Sequence, residues 1–308
     1  MAKVFKTLDE QVEILQSTGL IINDIPETKD ILLRENYFFI SGYRMLFMES
    51  QENKKFLPGT TFDELYSMFQ FDRHVRNILF KNLLIIENNI KSIMAFHLSS
   101  RYGIREDEYL NPKNFVLDRK RKKQVDDLLR KMKRQIRING GQHQATMHYS
   151  EKYGYVPMWI AVKVLSFGIV SELFQILKPD DQETVANDFN LAKETLEIYL
   201  PVLANFRNLC AHEDILFEHK AQRNIPDTKY HNLLKIPQVN DEYIYGKNDL
   251  FAIVLILKQM LRKDDFFLLM SELEFEIQIL SDRLKTIPVE KVFDRMGFPI
   301  NYGEIVRL

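Results

Sequence analysis

From Thr61 to Tyr102 the chain runs without a proline or a glycine, and no other stretch constrains the fold as strongly. Its apolar residues recur at intervals of three and four, the mark of an α-helix with one side turned inward. Thr61-x-x-Glu64 forms a capping box at its start: the threonine hydroxyl accepts a backbone N–H and the glutamate returns the bond. At ~1.5 Å per residue such a helix is about 60 Å long, which predicts a structural spine, straight or bent, for other helices to pack along. Glycine and proline are scarce elsewhere, at 11 and 10 residues of 308, and the same periodicity fills most of the chain. The expectation is an all-α fold, a helical bundle with additional helices and long connecting loops.

Before the spine, Thr7-x-x-Glu10 opens a first helix that Gly19 closes, and a short helix follows Pro26. The aromatic segment 36–47 fits either a helix or a strand. After the spine, Arg119, Lys120, Arg121, Lys122, Lys123, Arg130, Lys131, Lys133, Arg134 and Arg137 face only Asp118, Asp126 and Asp127. A helix this basic is either a solvated face or an electrostatic track for a phosphate backbone. Gly140-Gly141 ends it, and a polar loop with His143 and His148 is predicted next. Pro157 starts a helix reaching Gly168; helices near 180–190 and 191–200 lead into a further one ending at His212. Residues 220–248, with Pro226, Pro237 and Gly246, read as a loop or linker. Helices near 249–262 and 264–286 and a short one from Pro288 follow. The expected organisation is a single domain over 1–308: an N-terminal helical part (1–115), a basic helix and loop insertion (116–150), and the remaining helices (151–308).

Several chemistries are excluded. There is no Gly-rich phosphate loop, no His-Glu-x-x-His and no paired Cys/His spacing, so neither cofactor nor metal is expected. One cysteine, Cys210, permits no internal disulfide and fits a reducing compartment. It lies on an apolar stripe, where core packing is the simpler role than nucleophilic attack. Residues 1–6 lack an apolar signal core, and charges break the apolar runs well short of a membrane span. These features predict a cytoplasmic protein with no membrane partner. The net charge of −1 speaks neither for nor against nucleic acid.

One constellation remains. Arg207-Asn208-Leu209-Cys210-Ala211-His212 ends a helix whose Leu196, Leu200, Leu203, Phe206 and Cys210 form an apolar stripe. A guanidinium can hold phosphate oxygens bidentately and an imidazole can move a proton near neutral pH, which together suit attack on an RNA phosphodiester. Asn208 and His212 share a face away from the stripe. The alternative is a polar helix end whose histidine caps the last carbonyls; a similar spacing recurs at Arg137 and His143, so spacing alone decides nothing. One histidine cannot easily serve as both base and acid, and Arg207 and His212 point about 140° apart on an ideal helix. Two copies meeting across a two-fold axis would supply two of each, so a homodimer with a composite site is expected. Glu87, an isolated carboxylate in an apolar helix, reads as a buried partner for an arginine before it reads as catalytic.

The residues also resemble a known family. Asn36-Tyr37 through Ser41-Gly42-Tyr43, Phe71-Asp72-Arg73-x-x-Arg76 with Ile86-Glu87, Pro157-x-Trp159 with Leu165-Ser166-Phe167-Gly168, Arg207-Asn208-x-Cys210-Ala211-His212, and Met296-Gly297-Phe298-Pro299 occur in the family's order. They resemble the Abi-like proteins of bacterial abortive infection (the AbiD/AbiF group) of the HEPN superfamily of all-helical ribonucleases. The resemblance implies an Arg-x4-His ribonuclease centre at Arg207 and His212, with Asn208 as the polar residue after the arginine. It also implies a toxin-like role in phage defence, restrained by an antitoxin partner such as a small inhibitory RNA. In similar domains of RNA-guided CRISPR effectors, two copies share one site. The sequence departs from the pattern at Glu218-His219-Lys220, where the family often has Asn-Arg, and at Lys163, where a glutamate is expected. A metal-independent endoribonuclease is thus the leading reading. A non-catalytic RNA-binding regulator and a protein-binding scaffold are the alternatives.

Overall fold

The spine exists as one unbroken helix. The structure, a computed structural model, describes residues 4–50, 53–116, 118 and 121–308. In chain order, α1 (Leu8–Ser17), α2 (Ile25–Glu35) and α3 (Tyr37–Ser41) lead through a 3-10 turn (Gly42–Phe47) into α4 (Phe62–Tyr102). There follow α5 (Glu106–Tyr109), α6 (Lys122–Gly140), α7 (Gln144–Tyr153), α8 (Met158–Ala161), α9 (Phe167–Ile176), α10 (Pro179–Asn187) and α11 (Lys193–Ala211). Next come α12 (Lys229–Leu233), an antiparallel hairpin of β1 (Gln238–Val239) and β2 (Glu242–Tyr243), α13 (Leu250–Met260), α14 (Lys263–Arg283) and α15 (Glu290–Met296). The fold is all-α, 68% helical, with that two-stranded hairpin as its sheet among the described residues. No helix of the described chain is long and apolar enough to cross a membrane.

Both bonds of the Thr61–Glu64 capping box form, and Glu64 does more than cap. Its Oε1 accepts the Lys285 and Thr286 backbone N–H groups at 2.6 and 2.7 Å, tying the end of α14 to the start of α4. α14 runs antiparallel along the first half of α4 on Leu269, Met270, Leu273, Ile277 and Leu280, all buried at helical spacing. Each such side chain contributes roughly 1.5–3 kcal/mol by leaving water. The flanking His74–Glu276 and Lys81–Glu272 pairs are partly solvated and add little. α13 is apolar all round and buried from Leu250 to Leu257, the signature of a central helix.

Several segments differ from the sequence reading, each for a local reason. Segment 36–47 is α3 and a 3-10 turn, started by Asn36, whose side chain accepts the Phe38 N–H. The predicted loop around His148 is the helix α7, closed by Gly154 at φ +74°. The helix from Pro157 breaks: Leu165 is extended, and Ser166 restarts the chain as α9 by capping the Ile169 N–H. Conversely, α11 is continuous through Pro201 instead of two pieces. Residues 220–248 are no free linker, because α12 and the hairpin are pinned by a buried His231. The Thr228 N–H donates to His231 Nδ1, and Nε2 lies 3.0 Å from the Gly246 carbonyl oxygen, which makes Nε2 the protonated nitrogen of a neutral ring.

Burial holds the His231 pKa below its ordinary 6.5, so the unfolded chain binds this proton more readily than the folded one. Stability contributed by the neutral ring is present above that value and drains away as pH falls through and below it. The unfolding free energy, measured by urea titration, is expected to fall more steeply between pH 7.5 and 5.5 in the wild type than in His231→Gln. The Gly-Phe-Pro segment is equally constrained. Gly297 ends α15 at φ +74°, and a Cβ there would lie 2.2 Å from the carboxyl carbon of Asp249, the buried N-cap of α13. Gly297→Ala is expected to lower stability by about 2 kcal/mol or more, read as a lower urea midpoint.

Candidate active site

α11 carries the Arg-Asn-x-Cys-Ala-His segment to a helix end that the backbone itself defines. The stripe of Leu196, Leu200, Leu203, Phe206 and Cys210 is buried. Burial pushes the Cys210 thiol up to about 12, so it is a core residue and a poor nucleophile. His212 is the C-cap; Glu213 turns left-handed at φ +57°, and the Asp214 N–H reaches back to the Leu209 carbonyl. This closes the helix without help from a side chain. Asn208 and His212 are exposed, and among the described residues neither side chain makes a hydrogen bond within the protein. The reading of His212 as a carbonyl-capping side chain therefore finds no bond to rest on.

Arg207 is held quite differently. Its Nε donates to Glu87 Oε2 at 2.9 Å, and its guanidinium lies 5.5 Å from the Phe80 ring centre. The other oxygen of Glu87 accepts from Lys91 Nζ at 2.6 Å. The isolated carboxylate of α4 is thus the buried partner of an arginine, and Lys91, which the sequence did not single out, is its second cation. Held by Nε, Arg207 has terminal nitrogens with no hydrogen bond to protein among the described residues, and the side chain keeps 28% of its surface in solvent.

A second buried cluster fixes the chain just past His212. Asp72 accepts from Arg76 Nη1 at 2.5 Å, from the Tyr43 hydroxyl at 2.6 Å, and from the Leu216 and Phe217 backbone N–H groups at 3.0 and 2.8 Å. Arg76 also donates to the Asp214 carbonyl at 3.2 Å. Burial pushes the Asp72 carboxyl up, while Arg76, the two amides and Tyr43 work against it. Tyr43 stacks on Phe217 at 5.7 Å, and Gly42 allows this approach, since a Cβ there would lie 2.6 Å from Ile215 Cδ1. The pairings 87 with 207, 76 with 214 and 72 with 216–217 set α11 and its continuation antiparallel to α4. Between the 3-10 turn and Glu213–Ile215 opens a cavity of about 580 Å³, lined by Phe38, Phe39, Tyr43 and Arg76.

A further histidine joins this face. His219 Nε2 lies 2.8 Å from Asn205 Oδ1, and Asn205, Asn208 and His212 share one side of α11. Burial lowers the His219 pKa. Only the 208–212 spacing hinted at this face; His219 reaches it across a turn.

The basic residues lie elsewhere. Arg119 and Lys120 are outside the described residues. Lys122, Lys123, Lys133, Arg134 and Arg137 are exposed on α6, whose Val125, Leu128, Leu129, Met132 and Ile136 are buried. Arg121 pairs with Asp118, Arg130 with Asp127 and Lys131 with Glu172, which partly neutralises the face. α6 packs on α9 and α7, and among the described residues its basic side chains make no bond to Arg207, Asn208 or His212.

A family model described as Abi-like protein matches residues 30–218, which takes in α3, α4, both buried clusters and α11. No curated protein and no solved structure matches the chain.

Removing one partner of a buried ion pair strands the other in a dry site. Arg76→Ala is expected to cost about 3–5 kcal/mol of stability, read by urea unfolding. Pairing it with Asp72→Asn should recover part of the loss, because the stranded charge is gone.

Proposed function

The chain belongs to the Abi-like protein family, and from that premise we propose that it is a metal-independent endoribonuclease of HEPN type. The family points to abortive infection, a defence against phage. The observation that carries the enzymatic reading is the way Arg207 is held. Glu87 takes Nε and leaves the terminal nitrogens without a hydrogen bond to protein among the described residues, five residues before an exposed His212 at a fixed helix end. That is the form of a phosphate clamp beside a proton carrier.

In the reaction proposed, an imidazole takes the proton of a ribose 2′-hydroxyl. The 2′-oxygen bonds to phosphorus as the bond to the leaving 5′-oxygen breaks, and an imidazolium delivers that oxygen its proton. The products are a 2′,3′-cyclic phosphate and a 5′-hydroxyl. Arg207 stabilises the crowded anionic phosphorane through paired N–H bonds, and Asn208 offers an amide to the same phosphate or its ribose. Base and acid are two jobs, so the second His212 comes from a second copy in a homodimer. Neither a metal ion nor a cofactor enters these steps.

The exposed basic face of α6 favours a second reading, in which the protein holds a structured RNA without cutting it. The two are compatible if that face binds the RNA antitoxin that restrains the enzyme.

Purified wild type is expected to cut labelled total cellular RNA in the presence of EDTA, leaving 2′,3′-cyclic phosphate ends. His212→Ala should lower the rate at least about 10²-fold while RNA binding persists, and Arg207→Ala should lower the rate as far and weaken binding as well. Equal cutting by wild type and His212→Ala would remove this histidine from the chemistry. No cutting by either, with RNA still bound, would favour the regulator.

A further inference from the structure

One cavity near Arg207 has lining chemistry that the reaction above does not use. About 480 Å³ in volume, it lies between α4 and the α7–α8 region, lined by Asn88, Lys91, Ser92, His143, Trp159 and Lys163. Lys91, more than nine-tenths buried, is the residue that shares Glu87 with Arg207. The cavity and the proposed clamp therefore stand on the two oxygens of one carboxylate.

We propose that this cavity is a nucleotide subsite for single-stranded RNA, in which one unstacked base lies on the Trp159 indole while Lys91 and Lys163 hold its phosphate. The proposal rests on the ribonuclease reading for the neighbouring clamp and deepens it by naming the conformation of RNA that the site takes.

Four observations support it. Trp159 is the only tryptophan of the chain and keeps 42% of its surface exposed, although a core lies directly beneath it in the buried Met158, Ala161 and Val162. A large aromatic face left in solvent beside cationic side chains is the usual platform for an unpaired base. Second, every side chain lining the cavity is neutral or basic, with no carboxylate among them, so an anion is favoured there. Third, Asn88 and Ser92 lie one turn apart on the exposed side of α4, offering an amide and a hydroxyl for a base edge or a ribose. Fourth, the His143 ring is oriented by the Thr146 hydroxyl, 3.3 Å from Nδ1. Thr146 is itself buried, and among the described residues His143 Nε2 makes no hydrogen bond. A duplex cannot offer an unstacked base to such a cavity without opening, which selects single strands.

Because Trp159 is the sole tryptophan, its fluorescence reports occupancy directly. The experiment titrates the full chain carrying His212→Ala, to prevent cutting, with a fluorescein-labelled adenosine hexanucleotide and its duplex form. Anisotropy measures binding and tryptophan emission measures occupancy. Saturable quenching that follows the anisotropy is expected for the single strand, with weaker binding of the duplex. Trp159→Ala and Lys163→Glu should each raise the dissociation constant about tenfold, with Trp159→Phe restoring most of the loss. In the cutting enzyme, Trp159→Ala should raise KM and leave kcat nearly unchanged.

The proposal is overturned if the hexanucleotide binds with Trp159 emission unchanged and Trp159→Ala binds as tightly as its parent. It is also overturned if the protein binds no single-stranded RNA. Quenching in a protein whose wild type never cuts would keep the subsite and remove the ribonuclease reading. Cutting with a silent Trp159 would do the reverse.

Discussion

Two carboxylates inside α4 organise what surrounds them. Asp72 and Glu87 are both buried on a helix that must also bury an apolar face against α11 and α14. A charge in that position is tolerable only when paired and fully hydrogen-bonded. α4 supplies one cation to each from four residues on, Arg76 and Lys91, since i and i+4 lie on one face. That leaves one oxygen of Glu87, and most of the acceptor capacity of Asp72, to be satisfied from elsewhere. Arg207 satisfies the first; the Tyr43 hydroxyl and the Leu216 and Phe217 amides satisfy the second. All but Tyr43 belong to α11 and its continuation, so pairing the two buried acids also sets the register of α11 on α4.

This ladder explains why the motifs were visible in the sequence while their partnerships were not. The spine was legible because 41 residues without a helix breaker, opened by a capping box, leave a chain few alternatives. Glu87 was legible as the partner of some arginine because an isolated acid in an apolar helix needs a cation. Which arginine could not be read, since 120 residues separate Glu87 from Arg207. Tyr43 likewise stood in a motif separate from that of Asp72 and Arg76, and the two meet only in the folded chain. Ser166 was a cap inside a run of otherwise helical periodicity, and only the extended Leu165 before it reveals the break. The 220–248 segment misled in the opposite direction. Its prolines and glycine are true turn signals, yet His231, Tyr230 and Tyr243 anchor it to the core without any periodic pattern.

For the candidate site, composition and periodicity indicated the helix face but not the state of its side chains. They could not distinguish an arginine spent on a carboxylate from one available to a ligand. At Arg207 the Nε is engaged, and among the described residues the terminal nitrogens are not. His219 was missed because it lies outside α11 and reaches the Asn205–Asn208–His212 face through a turn. The basic stretch was read as a helix, and α6 is one. The pairing of three of its cations with acidic residues appears only in three dimensions.

The two clusters also differ in formal charge, and the difference bears on what each can do. Asp72 and Arg76 cancel, and their remaining bonds go to neutral groups, so that cluster is complete and serves to hold the chain beyond His212. At Glu87 one carboxylate faces two cations, Arg207 and Lys91, and the trio carries a net positive charge in a partly buried position. Such an excess costs free energy in the empty protein and is relieved by an anion, most strongly where water is scarce. A phosphate would meet the terminal nitrogens of Arg207 at modest ordering cost, because Glu87 and Phe80 already fix the guanidinium. His212, by contrast, sits at a helix end with no side-chain partner to fix it among the described residues. On the reading proposed above, an arginine fixed within one chain and an imidazole without a partner among its described residues suit a site in which the arginine sets the phosphate and a second copy of the protein supplies what orients the histidines.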